Sequence, residues 1–222
     1  MSSLIPLDPW LHTLRDALPA AREAADPEAV HRMRTATRRL DVWLRLAGRA
    51  RLRDDLRWLR RAAGPVRDLD ALLGRDWPAR EARRLRTLRT VARRALREAL
   101  DDVRLQGLIV GLTVLPPLSA PDAADHLAPL ARAARALPPA EDDLEALHAV
   151  RRAVRRLRFG LDWVGEPLDL APVQDAFGEL NDLTLAVRFL GPDAVSPELL
   201  AQRTRNALDV WRAARPLFVT WC

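Results

Sequence analysis

Residues 30–40 read VHRMRTATRRL, and residues 147–157 read LHAVRRAVRRL. The two segments align without a gap and share the histidine, three arginines, one alanine and the last leucine. On a helix, where successive residues are about 100° apart, each segment places its histidine and arginines on one face and its apolar residues on the opposite face. Both segments are therefore predicted to be amphipathic helices that bury one face and carry a basic row on the other.

A second pair of segments indicates an internal duplication. Residues 59–69 align with residues 173–183, and this alignment matches Gly64 with Gly178. The offset between the copies is 114 residues here and 117 residues for the first pair, a difference that one loop can absorb. We therefore predict two pseudo-symmetric four-helix bundles, with residues 1–117 as the first repeat and residues 118–222 as the second.

The rest of the chain also predicts an all-α fold. Apolar residues recur with helical spacing, and the period-2 alternation that is typical of strands is nearly absent. Pro27 suits the first turn of a helix, whereas Gly48, Gly74 and Gly165 lie where helices should end. The predicted helices span residues 8–24, 27–48, 52–74, 79–106, 122–137, 141–165, 170–190 and 196–215.

Arginine supplies all of the positive side-chain charge. The chain has 222 residues with 36 arginines and no lysine, and its formal net charge is +6. A guanidinium stays charged at any working pH and binds phosphate oxygens through a planar fork. With 49% hydrophobic residues and only 9 glycines, the composition excludes collagen-like and wholly disordered proteins.

Cysteine usage and the absence of targeting signals favour a cytoplasmic location. Cys222 is the only cysteine, so it has no partner for an intramolecular disulfide or a thiolate metal cluster. Residues 1–10 lack the basic and apolar regions of a secretory signal, and the longest apolar run, residues 108–118, is too short to span a bilayer. We therefore expect no membrane partner.

The positive charge is concentrated where the repeated helix lies. Residues 31–61 hold eleven arginines and three acids, and residues 148–158 hold five arginines and no acid. Like charges four residues apart on a helix repel each other by roughly a few tenths of a kcal/mol per pair, a cost that a bound polyanion would offset. A solvated helix face is the simpler interpretation of one such segment, but the retention of the same residue types in two copies favours a ligand.

These motifs resemble the CHAD domain family, named for conserved histidines in an α-helical domain. The resemblance rests on the duplicated His-x-x-Arg-x-x-x-Arg-Arg-Leu pattern, on GPVRDLD at residues 64–70 and on GELNDL at residues 178–183. It implies two helical bundles that bind inorganic polyphosphate in a basic groove or channel between them, and it suggests an association with polyphosphate granules. The family's histidine and arginine positions fall on His31, Arg34, Arg38, Arg39, His148, Arg151, Arg155 and Arg156.

Two more arginines join this predicted polyphosphate-binding set, one in each repeat. The helical wheel adds Arg45 to the first repeat. Family members often carry a further base after Arg-Arg-Leu, and Arg158 keeps it in the second copy, whereas Asp41 replaces it in the first. The repeats should therefore contribute unequally. Asp68 and Asp182 are expected to orient arginines rather than to touch an anion.

Other functions remain open at this point. Nucleic acid is the main alternative ligand, because a basic protein attracts any polyanion, but the chain has no tyrosine and only 4 phenylalanines for base stacking. We expect at most weak, sequence-independent binding. A histidine phosphotransfer protein that uses His31 or His148 is a further alternative. The four histidines are too dispersed for a metal site, so we predict a binding protein rather than an enzyme, with no cofactor and an unspecified oligomeric state.

Two further expectations concern binding. Phosphate near an imidazole favours its charged form, so polyphosphate affinity should rise as pH falls. Alanine should weaken binding without unfolding the protein at four positions opposite the core face: Arg34, Arg38, Arg151 and Arg155. The helix predicted over residues 79–106 carries a further basic set that either extends the groove or is solvated: Arg86, Arg89, Arg93 and Arg97.

Overall fold

The computed structural model describes residues 4–23, 26–136 and 143–221 and confirms the all-α prediction. The α-helices in these residues are α1 (Asp8–Glu23), α2 (Pro27–Leu46), α3 (Arg51–Leu73), α4 (Ala79–Asp101), α5 (Val103–Thr113), α6 (Ala120–Asp125), α7 (Leu127–Arg135), α8 (Leu144–Val164), α9 (Ala171–Leu190) and α10 (Pro197–Ala214). Two short strands, β1 (Leu4–Ile5) and β2 (Leu118–Ser119), pair antiparallel. Residues 24, 137 and 141–142 of the predicted helices, and Cys222, lie outside the described residues.

The chain divides into two compact units, Met1–Ser119 and Ala120–Cys222. The first unit contains α1 to α5 and the strand pair. The second unit contains α6 to α10 and two short 3-10 segments, Pro192–Ala194 and Arg215–Trp221.

In the first unit, α2 packs against both α1 and α3. Trp43 in α2 donates a hydrogen bond from Nε1 to the Ile5 carbonyl at 3.1 Å, which joins β1 to this helix. At the start of α2, the Asp26 carboxylate accepts from the backbone N–H of Glu28, and Pro27 occupies the first helical position, where its missing N–H costs no bond. The predicted core face of α2 is confirmed by its buried side chains: Met33, Ala36, Leu40, Trp43 and Leu44.

In the second unit, α8 occupies the corresponding position and packs against α7 and α9. Gly165 ends α8 with a φ of 80°, a left-handed conformation that suits glycine. The core face of α8 also agrees with the prediction, because its apolar row is buried: Val150, Ala153, Val154, Leu157 and Leu161. The basic face of each helix is thereby turned away from its own core.

Two predicted helices are wrong in extent. The helix predicted over 79–106 ends at Asp101, because Asp102 is extended and its carboxylate accepts from the Arg104 backbone N–H, which starts α5. The helix predicted over 122–137 is divided between α6 and α7, because His126 leaves the helical conformation and its Nδ1 donates to the Asp122 carbonyl. The helix predicted over 141–165 begins at Leu144, three residues later than predicted, and the remaining described helix ends lie within two residues of the prediction.

Candidate functional site

The predicted binding residues occupy two helices, five on each. We call those on α2 the first row and those on α8 the second row: His31, Arg34, Arg38, Arg39 and Arg45, then His148, Arg151, Arg155, Arg156 and Arg158. All ten are half-buried, whereas Arg32 and Arg152 on the same two helices are exposed. A merely solvated helix face would expose the row residues as well. Half-burial therefore distinguishes both rows from an ordinary charged surface.

His31 is held by an arginine from the next helix. Arg67 in α3 donates a hydrogen bond from Nε to His31 Nδ1 at 3.1 Å. An imidazole nitrogen that accepts this bond carries no proton, so His31 is neutral with its proton on Nε2. Burial lowers the pKa of His31 from its ordinary value, and the charge of Arg67 lowers it further. The surroundings of His31 are thus electropositive.

Arg34 is less exposed than Arg45, the other first-row arginine with a described carboxylate partner. Its side chain is only 13% exposed, and its Nη2 lies 3.9 Å from the Asp68 carboxylate. Its Nε and Nη1 are buried and make no hydrogen bond with the described residues. Burial lowers the pKa of Arg34, and the nearby Asp68 opposes this effect. Asp68 therefore orients an arginine, as the sequence predicts, but it leaves part of the guanidinium unsatisfied.

Gly64 allows Arg34 to approach α3. A Cβ atom at this position would lie 3.1 Å from Arg34 Nη1, closer than ordinary van der Waals contact. At the aligned position in the second unit, Gly178, a Cβ atom would meet nothing within 4 Å. The glycine of the first unit thus lets a guanidinium approach α3 closely, whereas Gly178 borders open space with no side chain against it.

Arg45 belongs to a cluster around Asp41, which is buried. The Asp41 carboxylate pairs with Arg45 at 3.3 Å, with Arg53 at 3.3 Å and with Arg60 at 3.7 Å. Arg60 also donates from Nη1 to the Thr37 carbonyl at 2.9 Å. We call these four ionic residues, Asp41, Arg45, Arg53 and Arg60, the Asp41 cluster. One carboxylate here holds three guanidinium groups, so Arg45 is engaged within its own unit.

Two other predicted arginines contact residues of the first unit. The guanidinium carbon of Arg39 lies 4.5 Å from the ring centroid of Trp10 in α1, a cation–π distance. Arg89 in α4 pairs with the buried carboxylate of Asp70 in α3. Arg89 therefore forms an ion pair inside the first unit. The sequence analysis expected the four α4 arginines either to extend the groove or to be solvated, and Arg89 does neither.

Three residues of the second row contact uncharged polar side chains of α9. Arg151 donates from Nη1 to Asn181 Oδ1 at 3.1 Å, and Arg158 donates from Nη1 to Gln174 Oε1 at 3.0 Å. His148 Nε2 lies 3.4 Å from the Thr184 hydroxyl oxygen. Burial lowers the pKa of His148, and the charges of Arg151 and Arg152 lower it further. Both rows therefore surround a histidine with positive charge.

A family model described as CHAD domain matches residues 7–191 of this chain, which include both rows. The chain belongs to the CHAD domain family. The crystal structure of the CHAD domain from the plant Ricinus communis is 24% identical, covers 96% of this chain and 83% of that chain, and superposes with a TM-score of 0.67. PptA from Streptomyces chartreusis is 19% identical, covers 98% of this chain and 96% of that chain, and gives a TM-score of 0.62. No curated protein matches the chain in sequence.

The structure of this CHAD domain also identifies three arginines next to the first row that the sequence analysis did not select. Arg53, Arg60 and Arg67 are seven residues apart in α3, so they share one helix face, and all three contact α2. This spacing is visible in the sequence, and it could have identified them as neighbours of the first row.

The described residues of the CHAD domain contain neither a cluster of metal ligands nor a membrane-spanning helix. No group of three or more His, Cys, Asp or Glu side chains in residues 4–23, 26–136 and 143–221 could hold a metal ion. Within those same ranges, no helix has both the length and the apolar composition needed to cross a bilayer.

Proposed function

We propose that this CHAD domain binds inorganic polyphosphate through the first and second rows, and that it is a binding protein rather than an enzyme. The observation that carries the proposal is the half-burial of all ten row residues, in both units, around histidines whose pKa is lowered. Positive charge that is partly removed from water costs free energy. A bound polyanion would offset that cost.

Polyphosphate suits such a surface because it is a flexible chain with about one negative charge per phosphate and no bases to read. A single exposed ion pair contributes only ~0–1 kcal/mol, so binding needs several contacts at once. Charge-assisted hydrogen bonds from a guanidinium to phosphate oxygens are stronger and bidentate. Arg67 extends the first row, since its Nε is bound to His31 and its terminal nitrogens make no hydrogen bond within the described residues.

The aromatic residues favour polyphosphate over nucleic acid as the ligand. Trp43 and Trp211 are buried, Trp10 lies under Arg39, and the Arg104 guanidinium lies 4.9 Å from the Trp58 ring. Binding of single strands relies on aromatic faces on which bases stack. These four indoles are already covered, so they offer little free face on which a base could stack. We place polyphosphate binding in the cytoplasm, at polyphosphate granules.

The test is a titration of the full chain with long-chain polyphosphate, single-stranded RNA and tripolyphosphate at two salt concentrations. We expect long-chain polyphosphate to bind most tightly, with a salt slope of about 0.7 per phosphate contact if single-stranded nucleic acid is a fair analogue. The variant Arg38→Ala/Arg155→Ala removes one arginine from each row and should weaken polyphosphate binding at least about tenfold.

The matched control is Arg94→Ala/Arg205→Ala, which removes one exposed arginine from each unit and the same total charge. It should weaken binding only slightly at moderate salt, because exposed charges are screened. Equal weakening by the two double variants would show that net charge, not the rows, attracts the ligand. If RNA bound more tightly than polyphosphate, the proposal of polyphosphate as the ligand would be wrong.

A further inference from the structure

A basic cavity of about 210 Å³ lies in the second unit, on elements other than α8. It is lined by Arg132 and Arg135 from the last turn of α7, by Ala136, and by Arg215 at the start of the last 3-10 segment. None of these residues belongs to the second row, and the sequence analysis did not select them. Three arginines from two separate elements thus line one small, open cavity.

Arg215 has a fixed position at this cavity. Its Nε donates to the Arg135 carbonyl at 3.0 Å, and its guanidinium carbon lies 5.6 Å from the ring centroid of the buried Trp211. Trp211 in turn donates from Nε1 to the Ala134 carbonyl at 3.0 Å. The last carbonyls of α7 therefore already have donors from Trp211 and Arg215, so Arg132 and Arg135 are not needed to cap the helix.

The three arginines have no carboxylate partner among the described residues. Within residues 4–23, 26–136 and 143–221, no carboxylate forms an ion pair with Arg132, Arg135 or Arg215. In the Asp41 cluster, by contrast, three arginines surround one carboxylate. The dipole of α7 favours basic residues in its last turn, but it does not account for a third guanidinium brought in from beyond α10. A polyvalent anion would stabilise three arginines that line one cavity and pair with no described carboxylate.

We propose that this cavity binds a compact phosphate dianion, either orthophosphate or the terminal phosphate of a pyrophosphate or polyphosphate chain. Its volume suits one or two phosphate groups rather than an extended chain, and guanidinium forks match the oxygens of a tetrahedral phosphate. The site shares no residue with the rows. It therefore does not depend on polyphosphate binding by the rows.

The test uses calorimetric titration of the full chain with orthophosphate and, separately, with pyrophosphate. The variant Arg132→Ala/Arg135→Ala should bind pyrophosphate at least about tenfold more weakly, because it loses two charge-assisted contacts. Arg132 is exposed and Arg135 half-buried, so the melting temperature should remain near that of the wild type. Arg188→Ala/Arg205→Ala removes two exposed arginines of the same unit and is the matched control.

The control should keep the wild-type affinity for pyrophosphate. The row variant Arg38→Ala/Arg155→Ala removes arginines that themselves bind phosphate chains, so it should lose less pyrophosphate affinity than Arg132→Ala/Arg135→Ala. The absence of pyrophosphate and orthophosphate binding by the wild type would overturn the proposal. So would equal loss in the matched control, or loss in the row variant with retention in Arg132→Ala/Arg135→Ala. A competition experiment distinguishes a site for free phosphate ions from a site for chain ends. Short and long polyphosphate are each added to the complex with pyrophosphate at the same total phosphate concentration, so that short chains supply more ends. Stronger competition by short chains shows end binding, and weak competition by both shows a site for the free ions.

Discussion

The two units carry very different charge although their central helices align. The first unit contains 24 arginines and 15 carboxylates, a net charge of +9, whereas the second contains 12 arginines and 15 carboxylates, a net charge of −3. Both units nevertheless keep a half-buried row of histidine and arginine. The row in the second unit thus persists in an acidic background, which indicates that it is a local feature rather than a by-product of a basic chain.

The partners of the rows differ in a more specific way. The alignment matches Asp41 with Arg158 and Arg60 with Gln174. In the first unit Asp41 pairs with Arg60, and in the second unit Arg158 donates to Gln174. The same contact between neighbouring helices is kept, but the arginine has moved to the other helix. The packing of the two neighbouring helices therefore determines where the polar contact forms. Some of the additional arginines of the first unit stabilise that unit through ion pairs.

The largest expected effect comes from breaking the Asp41 cluster. Asp41→Asn keeps the shape of the side chain but leaves three half-buried arginines without a counter-charge. Removing one partner of a buried ion pair commonly costs 3 kcal/mol or more, so we expect the free energy of unfolding to fall by about 3 kcal/mol. Urea unfolding followed by circular dichroism measures this change.

Arg158→Gln is the matched change in the second unit. It replaces a contact between an arginine and a neutral amide, so it should cost only about 1 kcal/mol. If Asp41→Asn were as mild as Arg158→Gln, the three arginines would not depend on Asp41, and the contrast between the two units would be one of sequence only.

The next effect concerns the arginine that α3 adds to the first row. Arg67 aligns with Asn181, so Arg67→Asn makes the first unit resemble the second, and Asn181→Arg does the reverse. We expect Arg67→Asn to weaken polyphosphate binding about tenfold, since one charge-assisted contact is lost. Asn181→Arg should strengthen it and steepen the salt slope by about 0.7. Titrations at three or more salt concentrations give both quantities.

These two variants change charge in opposite directions at aligned positions, so each serves as the other's control. Circular dichroism and the melting temperature show whether either variant disturbs the helices. Unchanged polyphosphate affinity and salt slope in folded Arg67→Asn would place Arg67 outside the binding surface and restrict its role to holding His31.

A smaller effect is expected from pH. Folding lowers the pKa of His31 and His148, so the unfolded chain takes up protons more readily than the folded chain. The free energy of unfolding should therefore fall as pH drops below about 6.5 and level off once the folded histidines are also protonated. Polyphosphate should oppose this, because a nearby phosphate stabilises the imidazolium. Its affinity should rise in the same pH range, by less than about tenfold per histidine.

The measurement is a pair of pH series, one of urea unfolding without ligand and one of polyphosphate titration. His31→Gln and His148→Gln should each flatten both series. Arg67→Asn should raise the pKa of His31 toward its ordinary value, since the charge of Arg67 is the second cause of its lowering after burial. Equal affinity at pH 6 and pH 8 would show that neither histidine is near the phosphate.

The sequence predicts the helices that carry the rows better than it predicts the contacts of the rows. Helical periodicity and the repeat fix the buried faces of α2 and α8, which the structure confirms. Periodicity alone does not show that Asp102 begins a new helix, because that depends on one capping carboxylate. The sequence analysis likewise treats Asp41 only as the replacement of a basic residue. In the structure Asp41 forms ion pairs with three arginines from two helices. Such contacts follow from how α2 and α3 face each other, which residue spacing within one helix does not specify.

The smallest expected effect tests whether Arg34 depends on a glycine. Gly178→Ala adds a methyl group in open space within α9, so it should raise the free energy of unfolding by about 0.5–1 kcal/mol through helix propensity. Gly64→Ala gains the same propensity in α3 but pushes its methyl group against Arg34 Nη1. Its net gain should therefore be smaller, and polyphosphate affinity should change because Arg34 shifts. Equal stabilisation by both alanines with unchanged affinity would mean that Arg34 moves aside freely, and that its enclosed position is not needed for the ligand.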